Sequence, residues 1–159
     1  MTEPKRNRAK LRQPIAEDFV ATVNVQMPVE RDHGAQLYYV WDEKNSLSVG
    51  IGSDCCSSGL YFNKNLNGQA NTIEFGGSLG TRALGHHTFY SEPVPWYFQI
   101  EKRGRKYTAR ASVDGSEWTD IGTHTVLQMK DARLGFLAGS GGGIEHEAAF
   151  DDFVVKRLK

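Results

Sequence analysis

Carboxylates two residues apart, paired histidines, adjacent cysteines and aromatics interleaved with polar side chains are the groups in this 159-residue sequence that could do chemistry. Glu145 and Glu147 have the i, i+2 spacing that puts two carboxylates on one face of a strand, and so do Glu30 and Asp32. Acid-assisted cleavage of a glycosidic bond uses such a pair. Their contexts speak against that role. Glu145 and Glu147 follow the run Gly141 to Gly143 and precede Ala148, Ala149 and Phe150, which reads as a polar loop entering a strand. Glu30 and Asp32 lie in a turn opened by Pro28. No catalytic residue is assigned, and the chain is read as a non-enzyme with a glycoside hydrolase as the lesser alternative. Gly139-Ser140-Gly141 lacks the spacing of a nucleophile elbow. The glycine run precedes a strand, so it has no helix N-terminus with which to hold phosphate. Of the five histidines only His86 and His87 are neighbours, and in an extended chain their rings point to opposite faces, which argues against a zinc-type site. Cys55 and Cys56 are adjacent and have no third cysteine to pair with. A bridge between neighbours closes a small strained ring, so two free loop thiols are expected.

Hard cations offer a better match. In Phe150-Asp151-Asp152-Phe153-Val154-Val155, strict alternation places the two phenylalanines on opposite faces. Either both faces are buried there or a β-bulge falls at the aspartates. A bulge beside two carboxylates suits calcium, which accepts oxygen ligands in loose geometry. Asp151, Asp152 and Asp32 are the candidate ligands of a structural calcium ion, and no cofactor is required. The aromatics, 3 Trp, 6 Tyr and 8 Phe, exceed what a core of this size must hide. A pyranose is recognised by an aromatic face against its C–H side and planar polar groups on its hydroxyls. Tyr38, Trp41, Tyr61 and Trp96, with Gln36, Glu74, Arg82, His86 and His87, are the candidates for such a site, against the plainer reading of core packing.

The elements that must position these residues follow from a period of two. Phe19, Ala21, Val23, Val25 and Met27 alternate with mostly polar neighbours, as do Leu37, Tyr39 and Trp41. The polar turn Asp42 to Asn45 leads into Leu47, Val49 and Ile51, which makes a hairpin. A second hairpin runs from Trp96, Phe98 and Ile100 through Arg103-Gly104-Arg105 into Tyr107, Ala109 and Ala111. Gly76 to Pro95 reads as a long loop with one short strand, and a closing strand covers Glu147 to Lys156. No segment carries a capped helical stripe. Ten to twelve short strands with turn signals between them indicate a β-sandwich or barrel.

A chain of this length forms one domain, burying about 70% of its unfolded surface. Lys plus Arg and Asp plus Glu are 19 each, so no overall field favours nucleic acid. No apolar run approaches the roughly 20 residues of a membrane helix. Lys5, Arg6, Arg8, Lys10 and Arg12 cluster at the start, so residues 1–8 are read as a basic flexible arm and 9–159 as the domain. No secretory signal opens the sequence, which fits a cytoplasmic protein or an excised domain of an exported one.

Three stretches carry a family resemblance: Gly34 to Gly52 (GAQLYYVWDEKNSLSVGIG), Trp96 to Gly122 with its Asp114-Gly115 turn ahead of Trp118, and Ala132 to Val155 with ARLGF and FDDF. They resemble the concanavalin A-like lectin/glucanase superfamily, and within it the domain-of-unknown-function 1349 group and the C-terminal sandwich of β-xylosidase-type glycosidases. The opening Ala9 to Val25 matches as well. The resemblance implies an all-β, antiparallel jelly-roll sandwich of two sheets, one of them concave. It implies a lectin-like carbohydrate-binding module, accessory to a glycan-active enzyme, with an oligo- or polysaccharide as partner. It also implies a calcium ion near the termini held by an aspartate of the last strand. The alternative reading is a protein-interaction module or homo-oligomer that uses an exposed edge strand.

Overall fold

The computed structural model describes residues 5–127, 130–140 and 147–159. They form thirteen strands: β1 (Lys5–Lys10), β2 (Phe19–Val29), β3 (His33–Asp42), β4 (Asn45–Ser53), β5 (Ser57–Leu66), β6 (Gln69–Phe75), β7 (Gly77–Leu79), β8 (Arg82–His86), β9 (Tyr90–Arg103), β10 (Lys106–Ser112), β11 (Thr119–Thr125), β12 (Arg133–Ser140) and β13 (Ala149–Arg157). The larger sheet runs β1-β12-β3-β4-β5-β8-β7, with β6 also pairing on β5. The smaller runs β11-β10-β9-β2-β13. Every pairing is antiparallel. This is the two-sheet, all-β jelly-roll sandwich expected, and no helix in it is long and apolar enough to cross a membrane.

The inner faces meet as the alternation dictates. Phe19, Ala21, Val23, Val25 and Met27 of β2 are wholly buried against Ala35, Leu37 and Tyr39 of β3 and Leu47, Val49 and Ile51 of β4. Trp96, Phe98 and Ile100 of β9 complete the layer. Each large side chain taken from water in this way contributes about 1.5–3 kcal/mol. Tyr39 fixes the register from inside: its ring packs edge-on against Phe19 at 5.2 Å and its hydroxyl donates to the Ile15 carbonyl. Burial and the nearby Glu17 charge push its pKa up to about 12, so it remains a donor.

Three expectations change. Residues 5–8, read as a flexible arm, belong to β1, which pairs with β12 from Lys5↔Ser140 to Lys10↔Gly135. The free edge of β12 offers backbone partners to β1, and pairing through the backbone needs no apolar face, so a strand whose described residues Arg8, Ala9 and Lys10 are all exposed can add there. The segment Gly76 to Pro95 is not mainly loop. It holds β7, β8 and the first part of β9, where Pro95 sits opposite Gln26. The ambiguity at Phe150 and Phe153 resolves as a bulge: Asp151 pairs with Asn24 but Val154 pairs with Thr22. Asp152 takes a left-handed backbone, φ 50°. The extra residue returns both phenylalanines to the inner side, where Phe136 stacks on Phe150 at 4.8 Å and meets Phe153 edge-on at 4.9 Å.

His124 of β11 crosses to the other sheet, with Nε2 3.0 Å from the Phe62 carbonyl and its ring 4.6 Å from that of Phe62. Burial holds this imidazole below the usual histidine range, against the pull of the carbonyl. A depressed folded-state pKa means the associated stability is present above the unfolded value of about 6.5 and is lost as pH falls below it. The melting temperature is therefore expected to fall between about pH 7 and pH 5, and His124→Gln to flatten that fall; an unchanged slope in the variant would contradict this. Truncating the core tests the packing: Phe98→Ala should cost about 3–5 kcal/mol in urea unfolding, whereas exposed Val154→Ala should stay within about 0.5 kcal/mol.

Candidate functional site

With Ala35, Leu37 and Tyr39 turned inward, Gly34, Gln36 and Tyr38 must face outward on the larger sheet. The ladder pairings extend this parity across the strands. One row reads Arg8, Leu137, Gln36, Gly50, Tyr61 and Glu74, from β1 to β6. The next reads Lys10, Gly135, Tyr38, Ser48, Asn63 and Thr72. On the other side of the first, Gly139, Gly34, Gly52 and Gly59 fall in line across four neighbouring strands.

The glycines let neighbouring side chains lie flat. A Cβ on Gly50 would meet the Ala35 carbonyl at 2.1 Å and the Gln36 Cγ at 2.7 Å. One on Gly135 would stand 2.7 Å from the Tyr38 ring, and one on Gly59 3.0 Å from the Tyr61 hydroxyl. The Tyr61 ring also approaches Gly52, where the distance would be 3.4 Å. Tyr61 thus rests over Gly52 and Gly59 and remains half-buried, with part of its surface open to solvent. Burial, reinforced by the negative charges of Glu74 and Asp54, raises its pKa, so the hydroxyl stays protonated and can donate. Beside it, Thr72 Oγ1 donates to Asn63 Oδ1 at 2.7 Å, and Asn63 Nδ2 donates to Ser48 Oγ at 3.5 Å. The result is a shallow polar surface around one flat aromatic ring. It suits a ligand with an apolar ring face and rim hydroxyls.

Gln36, Tyr38, Tyr61 and Glu74 therefore share one face, although Tyr38, at 7% exposure, offers little of its ring. Trp41 is half-buried at the far end of β3, where it lines a groove of about 520 Å³ together with Arg8, Lys10, Tyr38 and Arg133. Trp96 is not part of any ligand surface. It is wholly buried, because its place in the 96, 98, 100 alternation is an inner one. Arg82 is drawn in with it: its guanidinium carbon stands 5.0 Å over the indole and Nη1 donates to the Pro95 carbonyl.

His86 and His87 do not diverge as an extended chain would require. His87 has a left-handed backbone, φ 55°, and the two exposed rings come together tilted by 49° with centroids 3.9 Å apart. His86 pairs with Ser57 at the start of β5, and the His87 amide donates to the Cys56 carbonyl at 2.7 Å, which places both at the rim near Tyr61. The neighbouring thiols, expected to be free, are joined as a Cys55–Cys56 disulfide. Their turn is held by Asp54 Oδ1, which accepts from the amides of Cys56 and Ser57 at 2.8 Å each.

The three aspartates proposed for calcium do not form one set. Asp32, φ 60°, lies in the β2–β3 turn with Arg31 Nε 3.5 Å away, whereas Asp151 stands opposite Asn24 midway along β2. Asp152 donates its amide to Asp151 Oδ1 at 2.8 Å. Among the described residues no three His, Cys, Asp or Glu side chains converge as a metal site. The buried Asn24 Oδ1 has no hydrogen-bond partner, which leaves one oxygen near Asp151 that fits a hard cation. Glu145 lies outside the described residues, and Glu147 is exposed just before β13. Sequence reasoning missed Asn63, Ser48 and Thr72. Their signal was the shared parity with Tyr61 and Tyr38 once the strands are paired.

No protein-family model matches the chain, and no curated protein matches it in sequence. Solved structures do match. The GH43 protein BlXynB from Bacillus licheniformis is similar with a TM-score of 0.69 at 16% identity, over 89% of this chain and 28% of that one. The exoplasmic/lumenal domain of VIP36, in its Ca2+/Man3GlcNAc-bound form, gives 0.62 at 12% identity over 99% and 76%. The carbohydrate-binding module CBM66 from Bacillus subtilis gives 0.53 at 14% identity over 88% and 75%. These likenesses are of fold: a two-sheet, all-β sandwich.

The floor of the face can be tested directly. Gly50→Ala should cost about 1–3 kcal/mol in chemical unfolding, because backbone must move to admit the methyl group. Gly76→Ala, where a Cβ meets nothing within 4 Å, should be close to neutral; equal costs would refute the close-approach role of Gly50.

Proposed function

We propose that this protein is a non-catalytic carbohydrate-binding module that takes its ligand on the outer face of the larger sheet. The observation that carries the reading is Tyr61, laid over Gly52 and Gly59 with Gln36, Asn63 and Glu74 around it. The fold neighbours support it, since one is a carbohydrate-binding module and another is a lumenal domain bound to Man3GlcNAc. The ring stacks on a pyranose, and Gln36, Asn63 and Glu74 hydrogen-bond its hydroxyls. Glu74 is the one acid in its cross-strand row, so binding without bond cleavage is the chemistry this face fits. An accessory role beside a glycan-active enzyme is the setting in which such a module works.

A glycan array read with the folded protein should give hits sharing one sugar and linkage. Tyr61→Ala should weaken the best hit by about 2 kcal/mol or more, as loss of a central aromatic anchor does, while Tyr61→Phe retains the stacking and most of the affinity. No new reducing ends should appear when the hit is incubated with the protein. A blank array from folded protein overturns the reading. Calcium enters it as a structural ion on Asp151 and Asn24 Oδ1. Added calcium should then raise the melting temperature, and Asp151→Ala should abolish the rise; a melt indifferent to calcium removes the ion.

A further inference from the structure

The cations of this molecule are arranged unequally on its two outer faces. On the smaller sheet four contacts pair most of them: Arg110 Nε meets Asp120 at 2.7 Å and its Nη1 meets Glu101 at 3.2 Å, Arg103 meets Glu101 at 2.7 Å, and Lys102 meets Asp18 at 3.1 Å, while Lys106 and Lys156 stand apart from one another on separate strands. On the larger sheet, Arg8 and Lys10 of β1 and Arg133 at the start of β12 line the 520 Å³ groove beside Tyr38. Among the described residues, none of these three has an ion-pair partner.

The acids of the same groove lie to one end of it. Asp42 and Glu43 belong to the β3–β4 turn and Asp131 precedes β12. Asp42 is occupied with its own turn: Asn45 Nδ2 donates to both its oxygens at 2.8 Å, and the Lys44 amide donates to Oδ1 at 2.8 Å. Arg133, opposite Val40, stands next to these acids, and Lys10 and then Arg8 extend the other way, up the face. Arg8 falls in the same cross-strand row as Gln36 and Tyr61. Four strand spacings separate its strand from that of Tyr61, about 19 Å at the usual ~4.8 Å per strand. A linear saccharide stacked on Tyr61 and crossing the strands reaches these cations.

From this we infer that the saccharide bound on this face carries carboxylates, and that Arg8, Lys10 and Arg133 receive one of them. The inference rests on the carbohydrate-binding reading and names its ligand class. A guanidinium fork matches the two oxygens of a uronate carboxylate, and an unpaired arginine at a groove wall gains a charge-assisted bond without breaking an existing pair. The acids at the end of the groove select against a densely charged polyanion, which would have to pass Asp42, Glu43 and Asp131 as well. A uronate polymer, with one charge per sugar at most, can place its carboxylate on the basic wall and a hydroxyl-bearing edge elsewhere.

The test uses polygalacturonate, alginate and hyaluronan, each beside its carboxyl-reduced form, with heparin as the dense polyanion, titrated against the whole chain by calorimetry. At least one uronate polymer should bind about tenfold or more tightly than its reduced form, the increment expected of a charge-assisted hydrogen bond. Arg8→Ala and Arg133→Ala should each remove most of that preference without changing affinity for the reduced form. Equal binding of acidic and reduced polymers, with Tyr61→Ala still abolishing it, overturns the carboxylate inference and leaves the carbohydrate reading intact. Tightest binding to heparin overturns the inference in favour of unspecific polyanion attraction. No binding to any polymer by folded protein overturns the inference, and a blank glycan array then removes the underlying reading separately.

Discussion

The register that buries Ala35, Leu37 and Tyr39 is the constraint from which the rest of the molecule follows. Side chains on a strand alternate, so a slip of one residue in β3 would send Gln36 and Tyr38 into the core and expose three apolar side chains. Tyr39 holds that register from within, with its ring against Phe19 and its hydroxyl on the Ile15 carbonyl. Once it is set, the ladders carry it outward strand by strand. Tyr61, Asn63 and Glu74 face solvent because Leu60 and Phe62 must face the core.

The outer face then depends on what can lie flat against the sheet. Long side chains on neighbouring strands crowd one another, and a ring normally stands up from the pleat. Gly50, Gly52, Gly59 and Gly135 remove that obstruction at the positions where Gln36, Tyr61 and Tyr38 lean over. A pleated sheet becomes a shallow floor. The smaller sheet, whose outer face carries the Arg110, Glu101 and Asp120 network, is built differently. Around Arg110 the charged side chains bind one another, and that part of the surface presents closed pairs.

Much of this is legible in the sequence wherever a choice is forced by alternation. The strands β2, β3 and β4 and the hairpin of β9 with β10 follow from period two, and the same period groups Gln36 with Tyr38 and opposes both to Tyr39. It also places Trp96 with Phe98 and Ile100, so its burial was readable in the pattern, and the size of an indole had suggested a ligand platform instead. Other features depend on partners distant in sequence. Pro95 looks like a loop residue until β2 supplies a neighbour. A charged segment such as Lys5–Lys10 reads as solvated until the edge of β12 is known. His87 and Asp152 adopt left-handed backbones without being glycine, and nothing local in their sequence marks them. Those two torsions decide how the histidine rings meet and how Phe150 and Phe153 share Phe136.

The bulge at Asp151 and Asp152 has a further consequence for how the molecule behaves among its own kind. β13 closes one margin of the smaller sheet and β1 closes a margin of the larger, and an open strand margin is a template on which another chain can crystallise into ribbon. β13 meets that hazard with a kink that breaks the even spacing of its amides and carbonyls, and with two negative groups at the break. β1 meets it with positive charge on alternate positions. Two copies approaching through like margins, β1 to β1 or β13 to β13, therefore meet like charge, which disfavours those two pairings.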